Sequence, residues 1–406
     1  MSRSISAQIE SLKSDKSIMC IRPWTSMEER SLVGDYQVCC WINSILGIVK
    51  KNSGTDIMTL WNNDISSFIR RSFANGAYRE LCPDNCPMLI RKRKFEPDFI
   101  DLYSYDTDEY EQFSEEFRTN REKVIASISE KKLITDAFPL RLKIHPSNIC
   151  NLNCRMCNLD KGLKEEIGDG YYRNIYKLMP FLEEIVIFGG EPFACKVSRD
   201  LIFGEEIRKH PQLHLSAITN GSLLDDRVME RLQDLRLGWF SFSLDSCNEK
   251  TYPGIRVNAK YEKTFRNLKR FVEKRDRGEI RIQNILANFA IQGTNFLEIN
   301  EFLEYMHSLG IRANFTMVTG TFELLDHIGE VEASLRAGVK KADELGEKLT
   351  AVELEYLLKK LPDYAAKLRK QRMYFKLFKI VDREKVISFL QKHNQFKKTL
   401  KKIIGI

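Results

Sequence analysis

The sequence predicts an α/β fold built on parallel strands, and three observations predict it. From Leu142 to Val318, short runs rich in β-branched and aromatic residues alternate with amphipathic helical stretches. Six such strands follow one another with helices between them, and a strand–helix–strand order brings each strand back parallel to the last through a right-handed crossover. Turn-forming pairs such as Gly189-Gly190 and Asn220-Gly221 fall just after the strands, at the ends where ligand sites of such sheets form.

Taken in order, residues 141–145 read as a strand and 171–182 as a helix. Residues 184–188 form a short apolar strand, and 197–209 a helix. Residues 213–219 are the third strand. Residues 222–235 follow as a helix with Leu224, Val228, Leu232 and Leu235 on one face. Residues 239–244 are a strand, 261–274 a helix, 280–291 a strand, 297–309 a helix and 312–318 the last strand. Six strands are fewer than the eight of a closed barrel. Periodicity alone fits a partial barrel and an open doubly wound sheet equally.

Outside this stretch the chain divides by composition. Residues 1–19 are an extension, and 20–96 are a cysteine-marked unit with few long periodic segments. Residues 97–137 are a linker, acidic at first and helical from 113 to 134. Residues 138–322 hold the strand–helix pairs, and 323–406 are a helical, basic C-terminal region. The net charge of +8 belongs to that last region: from Lys367 to Lys402 thirteen Lys/Arg stand against Asp382 and Glu384. Residues 383–404 read as a basic amphipathic helix. It suits contact with a peripheral membrane surface, an acidic partner or a phosphorylated substrate, or docking on its own protein. No Walker loop or nucleic-acid module is visible, so nucleic acid is not an expected partner. No apolar run is long enough to span a bilayer, and the N-terminus lacks the apolar core of a signal peptide, so a cytoplasmic protein is expected.

Ten cysteines in 406 residues, with that location, point to metal rather than disulfides. Cys150, Cys154 and Cys157 have the spacing C-x3-C-x2-C with no fourth nearby. Three ligands are one too few for a closed zinc site, whereas thiolate is the usual ligand of iron in iron–sulfur clusters. His210 and His214 are spaced i, i+4, but Pro211 separates them and His214 lies in a strand, so they do not share a helix face.

The run Cys150–Cys157 resembles the signature of the radical S-adenosylmethionine (SAM) superfamily, with Met156 where the family more often has an aromatic residue. Gly189-Gly190-Glu191-Pro192 resembles that family's GGEP motif. The resemblance implies a partial (β/α)6 TIM-like barrel. It implies a [4Fe–4S] cluster on the three cysteines, and SAM chelating the remaining iron. It also implies reductive cleavage of SAM to a 5′-deoxyadenosyl radical that abstracts hydrogen from a substrate. A reductant such as flavodoxin or ferredoxin follows as a partner. Glu191 is implied as acceptor for the SAM ammonium, and Arg256 as partner of its carboxylate. Thr219, Asn220, Ser243 and Asp245 are implied at strand ends near SAM, and Gln292 and Asn295 as polar contacts. Helix capping explains several of these positions as well. Cys195 and Cys247 are expected either as hydrogen donors to a substrate radical or as small buried residues.

The N-terminal order is Cys20, thirteen residues, Gly34, four residues, Cys39, then Trp61-Asn62, Arg70, Gly76, Cys82 and Cys86-Pro87. It resembles the twitch/SPASM auxiliary-cluster module. That implies a second [4Fe–4S] cluster on Cys20, Cys39, Cys82 and Cys86, with zinc open on donor chemistry and Cys40 open in place of Cys39. The expected reaction is oxidation or rearrangement of a small polar or carrier-linked metabolite. A peptide-modifying maturase or epimerase, or a non-catalytic iron–sulfur or zinc scaffold, stands as the alternative.

Overall fold

The computed structural model describes residues 5–30, 34–42, 46–48, 57–157, 159, 169–318 and 322–380. The expected basic helix over 383–404 lies outside them. The chain forms two compact units, Met1–Leu244 with Arg256–Ala287, and Asp245–Ile255 with Asn288–Ile406.

The first unit is organised by a sheet whose strands are β1 (Ser26–Glu29), β2 (Asp35–Gln37), β3 (Gly47–Ile48), β4 (Arg141–Ile144), β5 (Glu184–Ile187), β6 (His214–Thr219) and β7 (Arg236–Ser243). β8 (Ile282–Ile291) begins here. The strand order runs β3-β2-β1-β4-β5-β6-β7. β1, β4, β5, β6 and β7 pair in parallel, and β2 and β3 close the edge as antiparallel strands. A doubly wound sheet reverses its order at a switch point, whereas every step from β4 to β7 here moves the same way, an order compatible with a partial barrel.

The strands are apolar because both faces are covered. Leu142, Ile144, Ile185, Ile187, Leu215 and Ala217 are each fully buried. Helices Asp169–Leu178, Lys196–Phe203, Asp226–Leu232 and Tyr261–Asp276 follow the strands in turn. Two expected helices are shorter than their patterns. The stretch 197–209 breaks at Gly204, where a Cβ would stand 2.4 Å from the Asp200 carbonyl oxygen. The stretch 222–235 starts only after Asp225, whose side chain caps Val228 N, and Met229 rather than Val228 fills the core position.

Three short strands near the N-terminus had no periodic signal, and β1 extends the parallel sheet beside β4. The acidic linker also contributes to the interior. Asp101 pairs with Arg22 at 2.9 Å and Arg141 at 2.8 Å, and Arg141 continues to buried Glu184. His214 stacks on Tyr103 with ring centroids 3.8 Å apart, and burial lowers its pKa to about 4.

The second unit carries the end of β8, β9 (Arg312–Met317) and helices Ile299–Ser308, Ile328–Glu344 and Lys348–Ile380. Phe289, Phe302 and Phe315 pack its core. No helix of the described residues is long and apolar enough to cross a membrane.

Candidate functional site

The loop leaving β4 carries the three clustered cysteines. Its first residue, His145, donates its backbone N–H to Glu29 Oε2 at 2.7 Å, and its Nε2 lies 2.9 Å from Asn148 Oδ1. The loop then curls on itself. Ile149 N donates to Ser147 Oγ at 3.0 Å, Leu152 N lies 3.4 Å from Cys150 Sγ, and Cys157 N bonds the Cys154 carbonyl at 3.2 Å. Asn153 N is tied to the Val257 carbonyl at 2.9 Å, which places Arg256 beside the loop. Arg256 Nη1 stands 3.4 Å from Cys154 Sγ.

The Gly-Gly-Glu-Pro turn after β5 docks directly on this loop. Glu191 N donates to the Ile149 carbonyl at 2.8 Å. Gly189 has φ +83° and Gly190 φ +50°, a region that costs other residues strain. A Cβ on Gly189 would lie 2.0 Å from the His145 ring, and one on Gly190 2.2 Å from the Ile149 carbonyl oxygen. The two glycines are thus dictated by close approach as well as by backbone conformation.

Glu191 is fully buried. Its carboxylate accepts from Thr219 Oγ1 and from Asn220 N, each at 2.7 Å, at the end of β6. Burial raises its pKa from 4.5 to about 7, against the opposing pull of those donors and of Arg256. Asn220 Nδ2 donates to Asn151 Oδ1 at 3.0 Å and lies 3.9 Å from Cys150 Sγ, while Asn151 Nδ2 donates to Ser222 Oγ at 2.9 Å. The ends of β4, β5 and β6 therefore meet around Cys150, Cys154, Glu191, Asn220 and Arg256. Burial pushes the Cys150 thiol up, which disfavours its thiolate without a nearby cation.

The raised Glu191 sets a pH dependence. A carboxyl whose pKa is higher folded than unfolded favours the fold while protonated, so its contribution is lost as pH rises towards 7. In the SAM-free protein, stability is expected to fall by about 3 kcal/mol between pH 4.5 and 7 on this account. Glu191→Gln should remove that slope, read as the difference between the two proteins in urea unfolding at several pH values. Parallel pH profiles for the two would refute it.

The N-terminal cysteines also gather. Cys39, Cys82 and Cys86 are buried, Cys20 is partly so and Cys40 is exposed. Burial raises the Cys20 and Cys82 thiols to about 12 and pushes Cys86 up. Cys86 lies in electrostatic range of Cys20, Cys82 and Cys40. Cys39 is raised by its hydrogen bond to Cys40, and Cys40 is lowered by receiving it. Among the described residues, Glu28, Cys39 and Cys40 set their ligand atoms within 4.8 Å of one another. The Trp-Asn and arginine positions serve the framework. Arg70 donates to the carbonyls of Pro23, Trp61 and Leu133 and to Asn62 Oδ1, and Trp61 Nε1 to the Ala137 carbonyl at 2.8 Å.

The remaining expected positions include Cys195, whose backbone N–H donates to the Glu191 carbonyl at 3.3 Å. Ser243 ends β7. Cys195 is 1% exposed and sits at the start of helix Lys196–Phe203. In the second unit, Asp245 has φ +65°, its Oδ1 accepts from Ala290 N at 2.8 Å, and its carbonyl accepts from Asn295 Nδ2 at 2.7 Å. Asn295 Oδ1 in turn accepts from Gln292 N at 2.8 Å. Burial, with Glu301 and Glu298 nearby, raises the Cys247 thiol to about 12. Sequence reasoning missed His145, Asn148, Asn151 and Ser222. The glycines at 189 and 190 were the one signal that something packs closely there.

This geometry meets an independent finding: residues 144–285 match the family model described as the Radical SAM superfamily. The chain carries a radical SAM domain. It is 27% identical over 177 residues to a probable GTP 3′,8-cyclase of Methanocaldococcus jannaschii, covering 42% of this chain and 55% of that protein. It is 24% identical over 206 residues to molybdenum cofactor biosynthesis protein 1 of Dictyostelium discoideum, covering 48% of this chain and 32% of that protein. A tungsten-containing aldehyde ferredoxin oxidoreductase cofactor-modifying protein of Pyrococcus furiosus is 27% identical over 175 residues, covering 40% and 47%. The chain thus spans about a third to a half of the length of these relatives. Among solved structures, Streptococcus suis SuiB bound to S-adenosylmethionine aligns at TM-score 0.39 and 16% identity, over 73% of this chain and 66% of that one.

The family implies a [4Fe–4S] cluster and SAM. The residues present fit them. Three thiols share one loop, a guanidinium and an amide point at two of the sulfurs, and two glycines leave the backbone bare beside them.

Proposed function

We propose that the chain is a radical SAM enzyme acting on a small polar or carrier-linked substrate. The meeting of Cys150, Cys154, Glu191, Asn220 and Arg256 at three consecutive strand ends carries this reading. In it, Cys150, Cys154 and Cys157 hold the cluster. The cluster and SAM, when bound and reduced by one electron from a flavodoxin- or ferredoxin-like donor, supply a 5′-deoxyadenosyl radical that takes a hydrogen atom from substrate.

The protein's own part is to place and shield. Glu191, fixed by Thr219 and Asn220, is an acceptor for an ammonium group and must be ionised to take it with full strength. A cation bound there lowers the carboxyl pKa, so ligand binding below pH 7 releases a proton. Arg256 is a forked donor suited to a carboxylate and lies within reach of the Cys154 sulfur. Ile144, Ile187 and Phe242, at or near the ends of β4, β5 and β7, are fully buried. The N-terminal thiols are read as a second metal site, a [4Fe–4S] cluster or zinc, whose thiols, raised mainly by burial, would be held as thiolates by a bound cation.

Relatives named for GTP cyclisation and for cofactor modification favour a small-molecule substrate over a peptide. The test is anaerobic reconstitution, metal and sulfide counting, and addition of dithionite and SAM. About eight irons with 5′-deoxyadenosine formed supports two clusters. About four irons plus zinc, with turnover, makes the N-terminal site a zinc site. Bound iron with neither SAM binding nor cleavage overturns the enzyme reading in favour of a scaffold. A precursor peptide that raises turnover would replace the small-molecule substrate by a peptide.

A further inference from the structure

Strand β1 stands between the two cysteine sites and carries two adjacent buried carboxylates, Glu28 and Glu29. Successive residues of a strand point to opposite faces, and these two reach opposite partners. Glu28 Oε2 accepts from Cys40 N at 2.9 Å, and Oε1 from Arg22 at 2.8 Å. Glu28 is also the carboxylate whose oxygen lies within 4.8 Å of the Cys39 and Cys40 sulfurs. Glu29 Oε2 accepts from His145 N at 2.7 Å, where β4 ends and the three-cysteine loop begins.

The register explains why a side chain is used there. Backbone pairing between β1 and β4 runs Ser26 with Arg141, Met27 with Leu142 and Glu28 with Lys143. The Glu29 carboxylate continues that ladder past its end and holds the first residue of the loop. His145 then sets two further parts. Its ring fills the space that Gly189 leaves, and its Nε2 meets Asn148, two residues before Cys150. A displacement of the His145 backbone therefore moves both the Gly-Gly turn and the root of the cysteine loop. A buried carboxylate is costly, and a charge-assisted hydrogen bond to a backbone amide is a strong positional tie.

We propose that Glu29 is a positioning residue for the three-cysteine loop, and that Glu28, on the other face of β1, positions the N-terminal cysteine site. This inference rests on the proposed function only in taking both cysteine sets as metal sites. Outer partners of metal ligands typically govern affinity by about 10- to 100-fold.

The test separates the two sites. In full-length protein carrying Cys86→Ala, retained iron and the SAM dissociation constant report the three-cysteine loop. In protein carrying Cys154→Ala, retained iron or zinc reports the N-terminal site. Glu29→Met, of similar size but lacking an acceptor, is expected to weaken SAM binding about tenfold and to alter the reduced-cluster EPR signal in the first background. It should leave metal in the second background unchanged. Glu29→Gln, which keeps an acceptor oxygen, is expected to stay within about twofold of the parent. Glu28→Met should show the reverse pattern, lowering N-terminal metal alone. Equal losses at both sites from either variant mark a general strand defect and overturn the proposal, as does unchanged loading and SAM binding in Glu29→Met. If the parent protein binds iron but neither binds nor cleaves SAM, the enzyme reading fails. Iron retention and EPR at the loop still decide the role of Glu29.

Discussion

Cys154→Ala is expected to reduce 5′-deoxyadenosine formation to background, a loss of at least about 10³-fold, while metal at the N-terminal cysteines is retained. The cubane reading needs three thiolates from one loop, and Cys154 is the middle one. It is also the sulfur that Arg256 approaches, 3.4 Å from Nη1, and its carbonyl accepts from Cys157 N. Removing it leaves two ligands and strips the arginine of its nearest sulfur. Alanine keeps the backbone, so the carbonyl contact to Cys157 survives and the loop keeps its path. The measurement is anaerobic product analysis alongside iron counting. Wild-type turnover by the variant would place the active cluster elsewhere, and loss of all iron would mean that the two sites do not load independently. The N-terminal counterpart, Cys86→Ala, is expected to do the opposite, since Cys86 is in electrostatic range of Cys20, Cys82 and Cys40.

The parallel order of β4 to β7 was legible because strands with both faces covered are largely apolar and are separated by helices of a different period. The three-cysteine loop and Gly-Gly-Glu-Pro were legible because their residues are unusual: glycine where a Cβ would collide, and cysteines at metal-ligand spacing. What could not be read were contacts made by ordinary residues. Glu29 and Asn151 are common types whose work depends on where β1 and β6 end. Asp101 looked like one more acid in a solvated linker, yet it lies between Arg22 and Arg141. β1 was invisible because Ser26-Met27-Glu28-Glu29 has no alternation, its two carboxylates being buried by cations and by a backbone amide rather than exposed. Arg70 carried the opposite lesson. It was recognised as part of a cysteine-module pattern, and its four hydrogen bonds go to the framework.

Gly189→Ala is the second large effect, and its partner Gly190→Ala distinguishes the cause. At Gly189 the added methyl meets the His145 ring at 2.0 Å with φ at +83°; at Gly190 it meets the Ile149 carbonyl oxygen at 2.2 Å with φ at +50°. Left-handed backbone costs about 1–2 kcal/mol for a residue with a Cβ, and overpacking adds typically about 1–3 kcal/mol. Each variant is thus expected to lose about 2–5 kcal/mol of stability in urea unfolding, and to lose iron from the three-cysteine loop. The two should part company when the obstacle is removed. His145→Ala opens the space that the Gly189 methyl needs, so the pair Gly189→Ala with His145→Ala should be less destabilised than the sum of the singles by at least about 1 kcal/mol. No side-chain truncation moves the Ile149 carbonyl, so His145→Ala should add to Gly190→Ala without rescue. Additivity at both glycines would mean that the His145 ring does not occupy the space beside Gly189. The dependence of the cysteine loop on that ring would fall with it.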